Sequence, residues 1–313
     1  MTVALVSHPA CLDHDTGPGH PERADRLRSV LVALDERRFP DLLRAEAPRA
    51  TTEQLEAAHD PAHVRAMLAL EIAPDDLLAL DPDTIASAGT REAALRAAGG
   101  AVLGVDLVME GRADAVFVAV RPPGHHAERD RLLGFCLLNN VAVAAYHARR
   151  RWGLTRIAVA DFDVHHGNGT QNIFWHDPNL FCASSHQSPL FPGTGERHER
   201  GAANNIANAP LPAGSDGTAF RKAWADDLLP ALDAFAPELL IVSAGFDAHR
   251  ADPLAGLRLD TADFAWITGE LVALARRHGQ GRVVSLLEGG YDLAALGEAA
   301  AAHVGALQAA CSS

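Results

Sequence analysis

The chain predicts an α/β domain built on a mostly parallel sheet, and three observations carry that prediction. Short apolar runs rich in Val, Ile and Leu recur at 3–7, 116–120, 157–160, 180–183, 239–242 and 283–287. Helical patterns lie between them, at 84–110, 139–151, 217–235 and 261–278, and Asp292 is placed to cap a last helix that ends near residue 310. Clusters of His, Asp, Glu and Gly follow four of the apolar runs.

The apolar runs are continuous and do not alternate with polar residues, which is the pattern of strands buried on both faces. Strands alternating with helices then give a sheet covered on both sides, with right-handed connections. The 313 residues, 48% of them hydrophobic, are enough for one large core, and the patterns run almost to the end. We therefore expect a single domain over 1–313. No apolar run approaches the roughly 20 residues that span a bilayer, so no membrane partner is expected. The start, MTVALVSHPACLDHD, reads as a first strand and not as a signal peptide. Cys11, Cys136, Cys182 and Cys311 are scattered, with no CxxC spacing, which points to a reduced, cytoplasmic setting. The formal charge, 27 − 40 = −13, argues against a nucleic-acid surface and suits a cationic substrate. Oligomeric state is not legible.

The four clusters are RPPGHH at 121–126, DFDVHHG at 161–167, GFD at 245–247 and EGGY at 288–291. Ligands of open α/β sheets bind beyond the carboxyl ends of the strands, so four such clusters predict one shared site. Asp163 and His165 stand at i, i+2 and point to one face if the strand stays extended there. With Asp247 from another strand end they offer two carboxylates and one imidazole, a set that suits a catalytic zinc with an open position. A lone DxH triplet is more often a cap or surface group; the companion residues carry the case. His125 and His126 follow a buried strand and two prolines, where a decorative His pair is out of place. A neutral imidazole there accepts a proton near neutral pH, and Asp161 is placed to orient one of the two rings. Tyr291 follows two glycines and offers a phenol donor to a developing oxyanion, although alone it would read as a half-buried tyrosine.

Together these residues resemble the histone deacetylase family, in its class II and bacterial deacetylase-like branch. The resemblance spans nearly the whole chain. His20-Pro21-Glu22 with Arg26, RPPGHH, Gly134-Phe135-Cys136 with Asn139-Asn140, DFDVHHGNGTQ at 161–171, Phe191-Pro192-Gly193-Thr194-Gly195, AGFDAH at 244–249, DPLAG at 252–256 and EGGY occur in the family's order. It implies the arginase–deacetylase fold, with an eight-stranded parallel sheet between helices. It implies zinc on Asp163, His165 and Asp247, and a dyad of His125 and His126. Asp161 would back His125. Asn168 would back His126, where class I members carry aspartate. The motif leaves open which histidine is the general base, His126 being the first choice. Tyr291 would be the oxyanion donor; relatives with histidine there are poor deacetylases.

The resemblance further makes Phe135 and Phe191 the walls of an acyl-lysine tunnel, with the Gly134 carbonyl accepting from the substrate amide. Asp83, or Asp81 as the alternative, would be a rim acceptor, Leu254 a rim residue, and Arg26 would lie in a cavity behind the metal. Potassium would sit at Asp161, the backbones of Asp163 and His165, and Ser184. A second site would use Phe174, Asp177 and Leu180. The implied reaction is hydrolysis of an acetyl or short acyl group from lysine side chains of proteins or peptides, not specifically histones. Acylated polyamines are the alternative substrate. An arginase-like dimanganese enzyme is disfavoured because Asn168 and the Asp247-Ala248-His249 stretch lack the second-ion pattern. An inactive binding protein is disfavoured by the complete set of ligands, dyad and tyrosine.

Overall fold

The structure is a computed structural model that describes residues 2–312, without the side chains of Cys311 and Ser312. In chain order the strands are β1 (Val3–Ser7), β2 (Leu43–Glu46), β3 (Leu78–Ala79), β4 (Ile85–Ala86), β5 (Ala115–Val118), β6 (Ile157–Asp161), β7 (Leu180–Gln187), β8 (Ile206–Leu211), β9 (Leu239–Ala244) and β10 (Val283–Leu287). The helices are α1 (Ala24–Ala33), α2 (Thr52–Ala58), α3 (Pro61–Leu68), α4 (Thr90–Met109), α5 (Asn140–Trp152), α6 (Asn168–Phe174), α7 (Gly217–Ala223), α8 (Leu229–Phe235), α9 (Thr261–His278) and α10 (Leu293–Ser312).

Eight strands form one parallel sheet in the order β2-β1-β5-β10-β9-β6-β7-β8. The chain moves outward from β6 through β7 to β8, then returns to insert β9 and β10 between β6 and β5. That insertion makes the four strands bearing the polar clusters immediate neighbours. β5, β6, β9 and β10 are buried at every position, as continuous apolar runs require. Helices α4 and α5 pack against one face, and α1, α10, α9 and α8 form a chain of neighbours on the other. Asn139 caps α5, its side chain accepting from the Ala142 N–H at 2.9 Å, and Asp292 caps α10 through the Ala295 N–H at 2.8 Å.

Three expected elements change. The helix expected over 84–110 begins at Thr90, because residues 85–86 pair with 78–79 in a two-stranded hairpin and Thr90 Oγ1 accepts the Ser87 N–H at 2.7 Å. The helix expected over 217–235 is two helices joined by a π turn, Trp224–Leu228. Pro230 enters just after it, and the wider turn accommodates a residue with no N–H to give. β7 continues to Gln187, four residues past the apolar run. Cys11, Cys136 and Cys182 are buried free thiols, and Cys311 lies outside the residues whose side chains are described. No helix among the described residues is long and apolar enough to cross a membrane.

Candidate active site and metal centre

The carboxyl ends of β5, β6, β9 and β10 converge on one buried cluster. Ligand atoms of Asp163, His165 and Asp247 lie within 4.8 Å of one another. His165 Nδ1 is 3.2 Å from Asp163 Oδ1 and 3.2 Å from Asp247 Oδ2. β6 ends at Asp161, so residues 163–165 form a bend instead of the expected extended strand. The pair still meets because the His165 N–H donates to Asp163 Oδ1 at 2.8 Å and folds the ring back over the carboxylate. The remaining carboxylate oxygens are held from other strands: Val164 N–H donates to Asp247 Oδ1, and Gly289 N–H to Asp163 Oδ2, both at 2.8 Å. Burial opposes a charge on His165, but Asp163 and Asp247 outweigh it and push its pKa up to about 10. The spot therefore favours positive charge, and two carboxylates with one imidazole form a donor set that fits zinc.

The two dyad histidines are buried, with ring centroids 4.0 Å apart. His125 Nδ1 lies 3.0 Å from Asp161 Oδ2, and His126 Nδ1 lies 2.8 Å from Asn168 Oδ1. Their environments differ in sign. Burial works against the charged ring of His125, but Asp163 and Asp161 overcome it and raise its pKa well above the usual value. Burial, with His125 and His165 adding repulsion, holds His126 well below it. The two rings thus sit in unlike environments, His125 against a carboxylate and His126 against an amide. Tyr291 keeps its proton: burial raises the phenol well above its ordinary value, against the pull of Arg26.

A cavity of about 260 Å³ opens over this cluster. Phe135, Phe191, Gly134, Leu254, Asp83 and Tyr291 line it, with His126 and His165 at its floor. Phe191 meets His126 edge-on, with centroids 5.1 Å apart. Gly134 has φ +54, and a Cβ there would sit 2.6 Å from the His126 ring, so the wall can approach the dyad only at a glycine. Of the two acidic rim candidates, Asp83 lines the cavity. Asp81 turns inward, its Oδ1 accepting the N–H groups of Asp83 and Thr84.

Arg26 does not line the substrate cavity but lies behind it. It is buried behind Tyr291, its guanidinium 4.7 Å from the phenol ring, and it donates to the carbonyls of Gly290 and Glu288 and to Glu22. Its five donors suit holding that turn. At the second expected monovalent-cation site the carbonyls of Phe174, Asp177 and Leu180 converge, and Asn205 Nδ2 stands among them at 2.8, 3.1 and 2.8 Å. The amide brings two hydrogens to three oxygens, each of which has two lone pairs. At the first site Asp161 and Ser184 are direct partners across β6 and β7.

Sequence reasoning missed two carboxylates. Glu288 Oε2 accepts the N–H groups of Gly124 and His125 at 2.7 and 3.2 Å and so anchors the dyad loop. Asp252 Oδ2 accepts the Tyr291 N–H at 2.7 Å. Both lie in the EGGY and DPLAG segments, but neither carboxylate has a role legible from the sequence alone.

Two carboxylates and an imidazole that could hold a metal ion, a two-histidine dyad with unlike environments and a phenol at the base of a narrow cavity are the equipment of a hydrolase. The family described as histone deacetylase domain matches residues 20–307, and the chain belongs to that family. It is 37% identical to the histone deacetylase-like amidohydrolase of Pseudomonas aeruginosa, over 88% of this chain and 73% of that protein. It is 37% identical to the chloroplastic histone deacetylase 14 of Arabidopsis thaliana, over 95% and 74%. An uncharacterized protein of Synechocystis sp. is 40% identical over 94% and 95%. The crystal structure of the HDA15 HD domain superposes with a TM-score of 0.91 at 33% identity, covering 98% of this chain and 88% of that one.

Proposed function

We propose that this hydrolase is zinc-dependent and removes acetyl or short acyl groups from lysine side chains of proteins or peptides. The observation that carries the reading is the dyad beside the ligand triad: His125 paired with Asp161 and His126 with Asn168, with His126, His165 and Tyr291 lining one small cavity. Asp163, His165 and Asp247 would hold zinc, which when bound supplies a Lewis acid for the acyl carbonyl and for water. His126 Nε2 accepts the proton of the attacking water, and its Nδ1–H is held by Asn168. Tyr291 donates to the oxygen that gains charge as the carbonyl becomes tetrahedral. The proton then passes to the leaving nitrogen, giving a free amine and a carboxylate. Phe135 and Phe191 sheathe the lysine methylenes, the Gly134 carbonyl accepts from the substrate amide, and Asp83 takes the substrate backbone at the rim. Asp161, Ser184 and the carbonyls of Asp163 and His165 would hold one structural potassium.

Acylated polyamines are the second reading, since an N-acetylated polyamine offers the same amide on a similar methylene chain. Metal analysis of the purified protein, combined with a fluorogenic acetyl-lysine assay, tests the proposal. We expect about one zinc per chain and turnover that a chelator abolishes. Turnover that survives complete zinc removal would overturn it.

A further inference from the structure

Asn168 raises a problem that a carboxylate in its place would not. An aspartate presents an acceptor whichever way it turns; an amide presents an acceptor at one end and a donor at the other. If its nitrogen faced His126 Nδ1, that nitrogen would have to accept. The neutral ring would then carry its proton on Nε2, the atom needed bare to take a proton from water.

The structure shows what prevents this. Asn168 Nδ2 donates to Glu128 Oε1 at 2.8 Å, and its second hydrogen faces the His126 carbonyl at 3.4 Å. Turning the amide over would set its oxygen against two acceptors. Glu128 itself is fixed: its N–H donates to the Arg131 carbonyl at 2.8 Å, and Oε1 also accepts from the Arg131 guanidinium at 2.8 Å. Glu128 and Asn168 both line a cavity of about 530 Å³ in which Thr194 and Trp175 also take part, separate from the substrate cavity.

We propose that Glu128 is a positioning residue for His126. Acting through Asn168, its carboxylate fixes which end of the amide meets the ring, and so leaves Nε2 bare. Glu128 touches neither substrate nor metal ligand. The unit Glu128–Asn168–His126 does with a carboxylate one step removed what a single aspartate does by direct contact. The inference rests on the hydrolase reading above only for its consequence in turnover; the ring's tautomer is a separate observable.

Both are measured on the full chain in parent, Glu128→Gln, Asn168→Asp and the double variant. Glutamine at 128 can offer either end to Asn168, so the amide loses its preferred orientation. Nitrogen NMR of histidine-labelled protein, with His126 assigned by its loss in His126→Ala, should show Nδ1–H in the parent and a shift toward Nε2–H in Glu128→Gln. On an acetyl-lysine peptide, kcat should fall roughly 10-fold or more, the range for partners that orient a metal-site group, with KM little changed. Asn168→Asp alone sets two carboxylates face to face and should also lose turnover. In the double variant the introduced glutamine donates to the introduced aspartate, whose other oxygen accepts from His126, and kcat should recover. An unchanged tautomer in Glu128→Gln overturns the proposal, as do multiplied losses in the double variant. A parent with no turnover of the peptide, in which Glu128→Gln still shifts the tautomer, refutes the lysine-substrate reading and leaves the positioning role standing.

Discussion

Gly289 donates its backbone N–H to Asp163 Oδ2 at 2.8 Å, so the turn after β10 forms part of the cradle at the end of β6. A Cβ at this glycine would overlap Asp247 Oδ2 and sit 2.6 Å from Asp163 Oδ2. Gly289→Ala must therefore push two of the three metal ligands apart. We expect it to lower zinc affinity by roughly 10- to 100-fold, as loss of an orienting partner does, while the circular dichroism spectrum stays that of the parent. Full zinc occupancy in a competition titration would show that the cradle does not depend on this close approach.

The dyad and the phenol are expected to separate chemistry from metal binding. His126→Ala should cut turnover by at least ~100-fold, the scale of a lost general base. Tyr291→Phe should cut it comparably, by removal of one oxyanion donor. Neither side chain is among the three ligands, so zinc content should hold in both. Near-parent rates in either variant would require another proton acceptor or another donor.

The elements that sequence patterns reveal are those buried on both faces. β5, β6, β9 and β10 are such strands, and all four are legible as apolar runs. Of the eight-stranded sheet, the two strands missed are its edges. β2 reads LRAE and is mostly exposed, whereas β8 reads IANAPL and carries a proline that only an edge tolerates. The same division holds at the site. Asp163, His165, Asp247, His125, His126 and Tyr291 announce themselves by residue type and spacing. Glu128, Glu288 and Asn205 act by accepting or donating a hydrogen bond across long stretches of chain, and such partners exist only once the fold has closed.

Asn205 sets its side-chain amide among three carbonyls expected to face an ion. Asn205→Ala leaves the carbonyls of Phe174, Asp177 and Leu180 without their shared donor, at a cost of roughly 1–3 kcal/mol for buried unsatisfied groups. We expect a lower Tm in choline chloride and recovery in potassium chloride, because the emptied cup then presents three oxygens to a cation. The parent should show no such step from this cup. A variant with the parent's Tm in choline chloride would mean that Asn205 does not hold these carbonyls.

His303 is buried neutral between β10 and α9, its Nε2 2.8 Å from Ser285 Oγ and its Nδ1 2.6 Å from Thr268 Oγ1. Burial lowers its pKa to about 3. The unfolded chain binds this proton below its ordinary value of 6.5, and the folded chain does not until about 3. The unfolded state thus holds more protons in that window, and stability falls as pH drops through it, by about 1.4 kcal/mol per pH unit for this group. His303→Gln keeps polar contacts and removes the titration, so its urea-unfolding free energy should fall less steeply from pH 6.5 toward 4. Equal slopes for parent and variant would exclude this histidine as a source of acid sensitivity.

Substrate choice should turn on Leu254. It is 37% exposed and lines the substrate cavity, held where the Leu254 N–H donates to Asp252 Oδ1 at 3.0 Å. An acetylpolyamine differs from acetyl-lysine in carrying a second ammonium beyond the methylene chain, and a leucine at the rim offers that charge nothing. Asp83 also lines the cavity and is the local carboxylate that works the other way. The net charge of −13 is spread over the whole chain, and beyond roughly 8–10 Å it is screened at physiological salt. The local apolar rim should therefore decide in favour of acetyl-lysine peptides. Leu254→Glu places a carboxylate where the distal ammonium arrives and should shift kcat/KM toward acetylspermidine, by up to roughly 5-fold for a solvent-exposed pair worth at most about 1 kcal/mol. The shift should shrink at high salt, since a surface ion pair is screened. Side-by-side kinetics on both substrates decide the matter: a parent that already prefers acetylspermidine refutes the lysine assignment, and a variant whose preference does not move removes Leu254 from the rim contacts that set it.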